Sequence, residues 1–247
     1  MKTGNINTFR LINIIGIDGA GKTTLALGLA GNLAKKDKKI EYRYCQYFAK
    51  LLYPVKLIAK LFVMRKTDEF KDYKTYNHTK KSTSSRHPFL AGIYAGIWLI
   101  DYLIQTFFKI SLPILWGKRL IIDRYIFDIA VNLSLTTNRE ISFAEKIIKW
   151  FFKFSPEPDR VIFIDLPEEI AFARKDDIQD IEYLKERRER YLYLAQKFGF
   201  EIVDGTKSPA ALLEDVKKIL AKKSQGKQNH RKKTILYVHA PWLQVSL

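Results

Sequence analysis

A doubly wound α/β fold is what this 247-residue sequence predicts, and three observations predict it. Five short apolar runs alternate with segments of helical spacing. The runs are apolar almost without interruption, which is the pattern of parallel strands covered on both faces rather than of strands with one wet side. The first run ends in a glycine-rich turn that opens directly into a helix-like segment, "NIIGIDGAGKTTLALGLA" from Asn13 to Ala30.

Taken in order, "LINIIGI" at 11–17 is the first strand, and residues 22–36 are the helix that leaves the glycine turn. "IEYRYC" at 40–45 is the second strand. The long apolar stretch at 89–110 is a helix. It carries one charge in the twenty residues 89–108, a length that could span a bilayer. Its place directly before the third strand, "RLIID" at 119–123, favours a buried core helix, and Asp101 would cost about 3 kcal/mol inside a membrane. Residues 140–153 alternate charged and apolar at helical spacing, "RVIFID" at 160–165 is the fourth strand, and 178–197 is a further helix. "FEIVD" at 200–204 closes the set of strands. In the last helix, 208–223, Ser208 is the expected N-cap and Pro209 occupies the first turn. After about Ala221 the chain turns polar and basic, then apolar again to Leu247. The expected organisation is a domain over 1–220 and a basic tail over 221–247.

Charge and cysteine content narrow the classes of function. A net charge of +17 favours anionic partners such as nucleotides, nucleic acid or an anionic membrane surface. The charge is spread along the chain with no recognition module, so no specific nucleic-acid binding is expected. The single cysteine, Cys45, excludes an internal disulfide, and His78, His87, His230 and His239 lack ligand spacing. The first apolar run already carries the glycine turn, which argues against a cleavable signal there and for a reducing, cytoplasmic setting. "YFAKLLYPVKLIAKLFVMRK" at 47–66 interleaves lysine and arginine with large apolar residues. An ordinary surface helix is the favoured reading. A peripheral membrane contact, a docking helix or a flap over a pocket are the others.

Gly16, Gly21, Lys22 and Thr23 satisfy G-x-x-x-x-G-K-[ST], the phosphate-binding loop, with a strand before it and a helix after it. Glycines let main-chain N–H groups curl around phosphate oxygens, and the helix N-terminus adds its dipole. Lys22 is expected on the β- and γ-phosphates of ATP, and the Thr23 hydroxyl on Mg2+. Gly16, Asp18, Gly19, Ala20, Gly21, Lys22, Thr23 and Thr24 make up the nucleotide-binding set. Asp123 and Arg124 close the third strand, at the end of a parallel sheet where ligands bind. A carboxylate there can orient a metal-bound water, and a guanidinium can clamp a phosphate. A purely structural Asp–Arg pair is the alternative.

"GIDGAGKTT", "IIDRYIFD", "VIFIDLPEEIAFAR" and "RRERYLYLAQKFGFEIVD" follow one another in the order and approximate spacing of the thymidylate kinase family, which this chain resembles from about Leu11 to Leu220. The resemblance implies a P-loop NTPase-type three-layer αβα sandwich on a five-stranded parallel sheet. It implies ATP- and Mg2+-dependent phosphorylation of a nucleoside monophosphate, dTMP to dTDP by default, in a homodimer. It assigns Arg124 to the acceptor phosphate, Asp123 to the magnesium and the reacting groups, and Asp18 to the acceptor sugar, although Asp18 is also a good turn former. Trp98 is the residue at the base-stacking position, with core packing as the alternative, and Tyr102 stands one turn later in place of the family's arginine. Ala20 leaves the loop without an arginine, so a lid at about 174–180 should supply one, with Arg174 and Lys175 the candidates. Arg187, Arg188 and Arg190 are in reserve, though "KERRER" reads first as a solvated helix face. Two other functions stay open: a nucleotide-dependent interaction module associated with a membrane surface, and a kinase for a different small acceptor.

Overall fold

The computed structural model describes residues 9–46, 88–175 and 180–221. The 47–66 segment, the four histidines, the middle of the expected lid at 176–179 and the tail beyond Ala221 lie outside them. The chain divides into two compact units, Met1–Cys45 with Pro113–Tyr125 and Pro156–Leu247, and Gln46–Leu112 with Ile126–Ser155.

The first unit is built on five parallel strands: β1 (Leu11–Gly16), β2 (Ile40–Tyr44), β3 (Arg119–Asp123), β4 (Arg160–Asp165) and β5 (Glu201–Asp204). They lie in the order β2-β3-β1-β4-β5. All five expected strands are present within a residue or two of their expected ends. Every residue of β1 is buried, which is why its sequence shows no alternation. Removing its isoleucines Ile12, Ile14 and Ile15 from water contributes roughly 1.5–3 kcal/mol each. The sheet carries α1 (Lys22–Ala34), which packs on β1, β2 and β3, and α8 (Pro209–Ala221), which packs on β5 and α1. Ser208 caps α8 as expected, its hydroxyl accepting from the Ala211 amide at 3.3 Å. α6 (Glu168–Ala173) packs on α7 (Ile181–Phe198), and α7 on β4. α7 is bounded by an Asp180 side-chain cap on the Glu182 amide and by Gly199 in a left-handed conformation.

The second unit is helical. It holds α2 (Pro88–Thr106), a π-helical turn over Phe107–Ser111, and the packed pair α4 (Ile126–Thr136) and α5 (Ile141–Phe151). A short helix α3 (Leu112–Leu115) follows the π turn. The stretch Gly96–Leu115 is long and apolar enough to cross a membrane by length and composition, with 39% of it buried inside the protein. The sequence favours a core helix here, and the helix is buried along one side only. Leu99, Asp101, Tyr102, Gln105, Thr106 and Ile110 are buried, whereas Ile100, Ile104 and Phe108 are exposed. Asp101 accordingly lies on the inner side, accepting a 3.1 Å hydrogen bond from Gln105.

Candidate active site

The sheet order turns beside β1, because the chain passes from β1 to the edge strand β2, returns to β3 on the same side of β1, and then crosses to β4 and β5 on the other. Ligands of open α/β sheets bind beyond the carboxyl ends of the strands at such a point. The glycine loop leaves β1 there. The register pairs Gly16 with Ile164 and Ile14 with Asp123, so Asp165 and Asp123 end the flanking strands on either side of the loop.

The loop geometry depends on glycine at two positions. Gly19 and Gly21 have φ of 86° and 83°, the left-handed region that costs other residues roughly 1–2 kcal/mol. At Gly19 a Cβ would also meet the Ala171 carbonyl oxygen of α6 at 2.6 Å. The backbone therefore lies flush against α6 with its amides unobstructed by side chains, a cradle that fits a run of phosphates. Ala20 is buried, and Thr23 and Thr24 are exposed at the helix start.

Charged groups close over this loop. Lys22 is buried and folds back, its Nζ donating to the Ile17 carbonyl at 2.7 Å and lying 3.7 Å from Asp18. The Arg124 Nη2 donates to the same Asp18 carboxylate at 2.6 Å. Burial pushes the Asp18 carboxyl up, but the charges of Lys22 and Arg124, the Arg124 hydrogen bond and the charge of Arg187 outweigh it and hold the group at about 2. Asp18 and Arg124 are 106 residues apart in the chain. Arg124 itself adopts φ 66°, a strained backbone for a residue with a side chain, and its amide donates to Ile14 of β1 at 3.3 Å. The strain aims the guanidinium across the strand ends.

Asp123 is fully buried, and the Thr23 hydroxyl donates to its Oδ2 at 2.5 Å. A hydroxyl and a carboxylate oxygen in contact at the foot of a phosphate cradle are hard donors of the type that Mg2+ takes alongside phosphate oxygens. The residues present fit that ion. Tyr42 of β2 stands beside them. Burial, then the Asp123 charge, pushes its phenol up to about 12, so it stays protonated beside that carboxylate. The sequence offers no signal for Tyr42 beyond its place in an apolar strand.

Arg174, expected in the lid, donates to the Gly205 carbonyl at 3.3 Å, at the turn after β5. The arginines of "KERRER" are not a solvated face. All three are half-buried, and Arg188 grips Asp165 through Nε at 2.7 Å and Nη2 at 3.2 Å while its Nη1 reaches Glu168 at 2.9 Å. Period alone shows which residues share a helix side, not which side meets two carboxylates. Trp98 and Tyr102 belong to the second unit. Trp98 is half-buried, and Tyr102 is 2% exposed and stacks on Phe151 at 5.5 Å between ring centroids.

Among the described residues no group of three or more His, Cys, Asp or Glu side chains forms a separate metal site. No protein-family model matches the chain. A "probable thymidylate kinase 1" of Saccharolobus solfataricus is 29% identical over 226 residues, 86% of this chain and 97% of that protein. A "probable thymidylate kinase" of Staphylothermus marinus is 26% identical over 221 residues, 87% of this chain and 95% of that one. A shorter match, 40% identical over 72 residues, covers 28% of this chain and 37% of a "probable thymidylate kinase" of Methanothermobacter thermautotrophicus.

Proposed function

We propose that the chain is a member of the thymidylate kinase family, to whose probable members it is 26–29% identical over most of its length, and that it transfers the γ-phosphoryl group of ATP to a nucleoside monophosphate, with dTMP as the acceptor. An acceptor phosphate oxygen attacks the γ-phosphorus, the bond to the β,γ-bridging oxygen breaks, and ADP leaves. The observation that carries the reading is the cluster at the ends of β1 and β3. The glycine cradle, buried Lys22, the Thr23–Asp123 contact and Arg124 converge on one opening of one sheet.

Each side chain has a part that its position supports. The loop amides and Lys22 hold the triphosphate, Lys22 exchanging the Ile17 carbonyl for phosphate oxygens. Thr23 and Asp123 would hold a magnesium ion, which would supply charge neutralisation to the bound triphosphate. Arg124 takes the acceptor phosphate, with its guanidinium already extended over the loop. A domain over 1–220 with its lid at about 174–180 remains our organisation for the enzyme, the cytoplasm its setting and a homodimer its assembly.

The test is ADP release with Mg2+ and ATP against a panel of nucleoside monophosphates. dTMP is expected to give the highest kcat/KM. Turnover of a different acceptor would move the specificity, and turnover of none would end the kinase reading.

A further inference from the structure

The helix α5 of the second unit has two unlike sides. Its inner side, Ala144, Ile147, Ile148 and Phe151, is buried, and Phe151 is stacked on Tyr102 of α2. That packing fixes what faces outward. Lys146, Lys149, Trp150 and Lys153 recur at helical spacing and are all exposed. The Lys153 amide donates to the Trp150 carbonyl at 3.1 Å and the Phe154 amide to the Phe151 carbonyl at 3.0 Å, so the turn continues past the helix end. It keeps Phe154 beside Trp150, with 5.3 Å between ring centroids. Trp150 is 38% and Phe154 65% exposed. Over residues 141–154 the sole acid, Glu145, is half-buried and paired with Lys149 at 2.5 Å. Large rings left in water and ringed by one sign of charge mark a surface that something else covers.

We propose that this face of α5 docks the chain on an anionic lipid surface, the Trp150 and Phe154 rings entering the headgroup layer and Lys146, Lys149 and Lys153 meeting lipid phosphates around them. The charges are complementary at two ranges. A net charge of +17 draws the chain toward such a surface, and the three lysines surround the aromatic pair at contact. Aromatic rings sit well at headgroup level, and lysine stems lie along apolar surface while their ammonium groups stay with the phosphates. The face carries no arginine, the residue whose planar fork suits nucleic-acid recognition. None of its residues is among those given a part in nucleotide or acceptor binding.

The experiment is co-sedimentation of the full chain with vesicles of phosphatidylcholine alone, or with about 30% phosphatidylserine, at about 0.1 M salt. The parent should bind the anionic vesicles and leave the neutral ones. Lys146→Gln combined with Lys153→Gln should weaken that binding about thirtyfold, from about fivefold for each lysine. Trp150→Ser combined with Phe154→Ser should weaken it at least about tenfold. Thermal unfolding reports which variants are native, and if the aromatic pair is not, the lysine pair decides. As a second readout, lipid brominated along its acyl chains should quench the fluorescence of the parent and quench Trp150→Phe markedly less. No binding of the parent to anionic vesicles overturns the assignment, as does binding that a native double variant keeps within about threefold. Loss of single-stranded DNA binding by the same factors as vesicle binding would make this a general polyanion surface, and overturns the lipid assignment too.

Discussion

Replacing Asp18 by asparagine removes one charge from the middle of the site and changes little else in shape. The carboxylate lies 2.6 Å from Arg124 and 3.7 Å from Lys22, and its side chain is 22% exposed. Its pKa drops from 3.8 in the unfolded chain to about 2 in the fold. That difference amounts to about 2 kcal/mol of stability at neutral pH. Because the folded value lies below the unfolded one, the stabilisation is complete above pH 4–5, about half remains near pH 3, and it vanishes below about pH 2. Urea unfolding of the chain without nucleotide, at pH 7, 5 and 3, reads this directly. Asp18→Asn should cost about 2 kcal/mol at pH 7 and 5 and about 1 kcal/mol at pH 3. A variant as stable as the parent at pH 7, or a loss that does not shrink on acidification, would refute the idea that Asp18 is held by the two cations.

Gly19→Ala should both destabilise and disable the loop. The added Cβ would stand 2.6 Å from the Ala171 oxygen on a backbone at φ 86°, so a loss of at least about 1–2 kcal/mol in unfolding free energy is expected. Calorimetry should show weaker ATP binding in the same variant. Arg188→Ala strands Asp165, which is 3% exposed, and should cost about 3–5 kcal/mol by urea unfolding. A loss under about 1 kcal/mol would mean that the pair is not what ties α7 to β4.

The strands were legible because each is short, apolar throughout and bounded by turn residues, a pattern that full burial imposes on parallel strands. The loop was legible because the amides at positions 16–23 must be reached without side chains in the way. The charge network was not. Asp18 meets Arg124, Asp123 meets Thr23, and Arg188 meets Asp165. None of these pairs has a local spacing rule, since strand order and register decide who faces whom. Arg188 shows the limit most plainly. Its surroundings in sequence are charged on all sides, which is how a wet helix face is written, yet its partners come from another strand and another helix. The one-sided burial of α2 was equally hidden, because an apolar residue reads the same on either side.

The strand order has a bearing on how the molecule is made. β1 is synthesised first but lies in the centre, and the strands that flank it, β3 and β4, begin more than a hundred residues later. Until those arrive, "LINIIG" offers two unpaired edges and an apolar surface to any neighbouring chain. Such late, long-range pairing is slow and favours clumping over renaturation when the protein is concentrated. Expression at low temperature or in the presence of a chaperone that shields nascent apolar strands therefore suits this topology, even though the finished sheet leaves no part of that strand in contact with water.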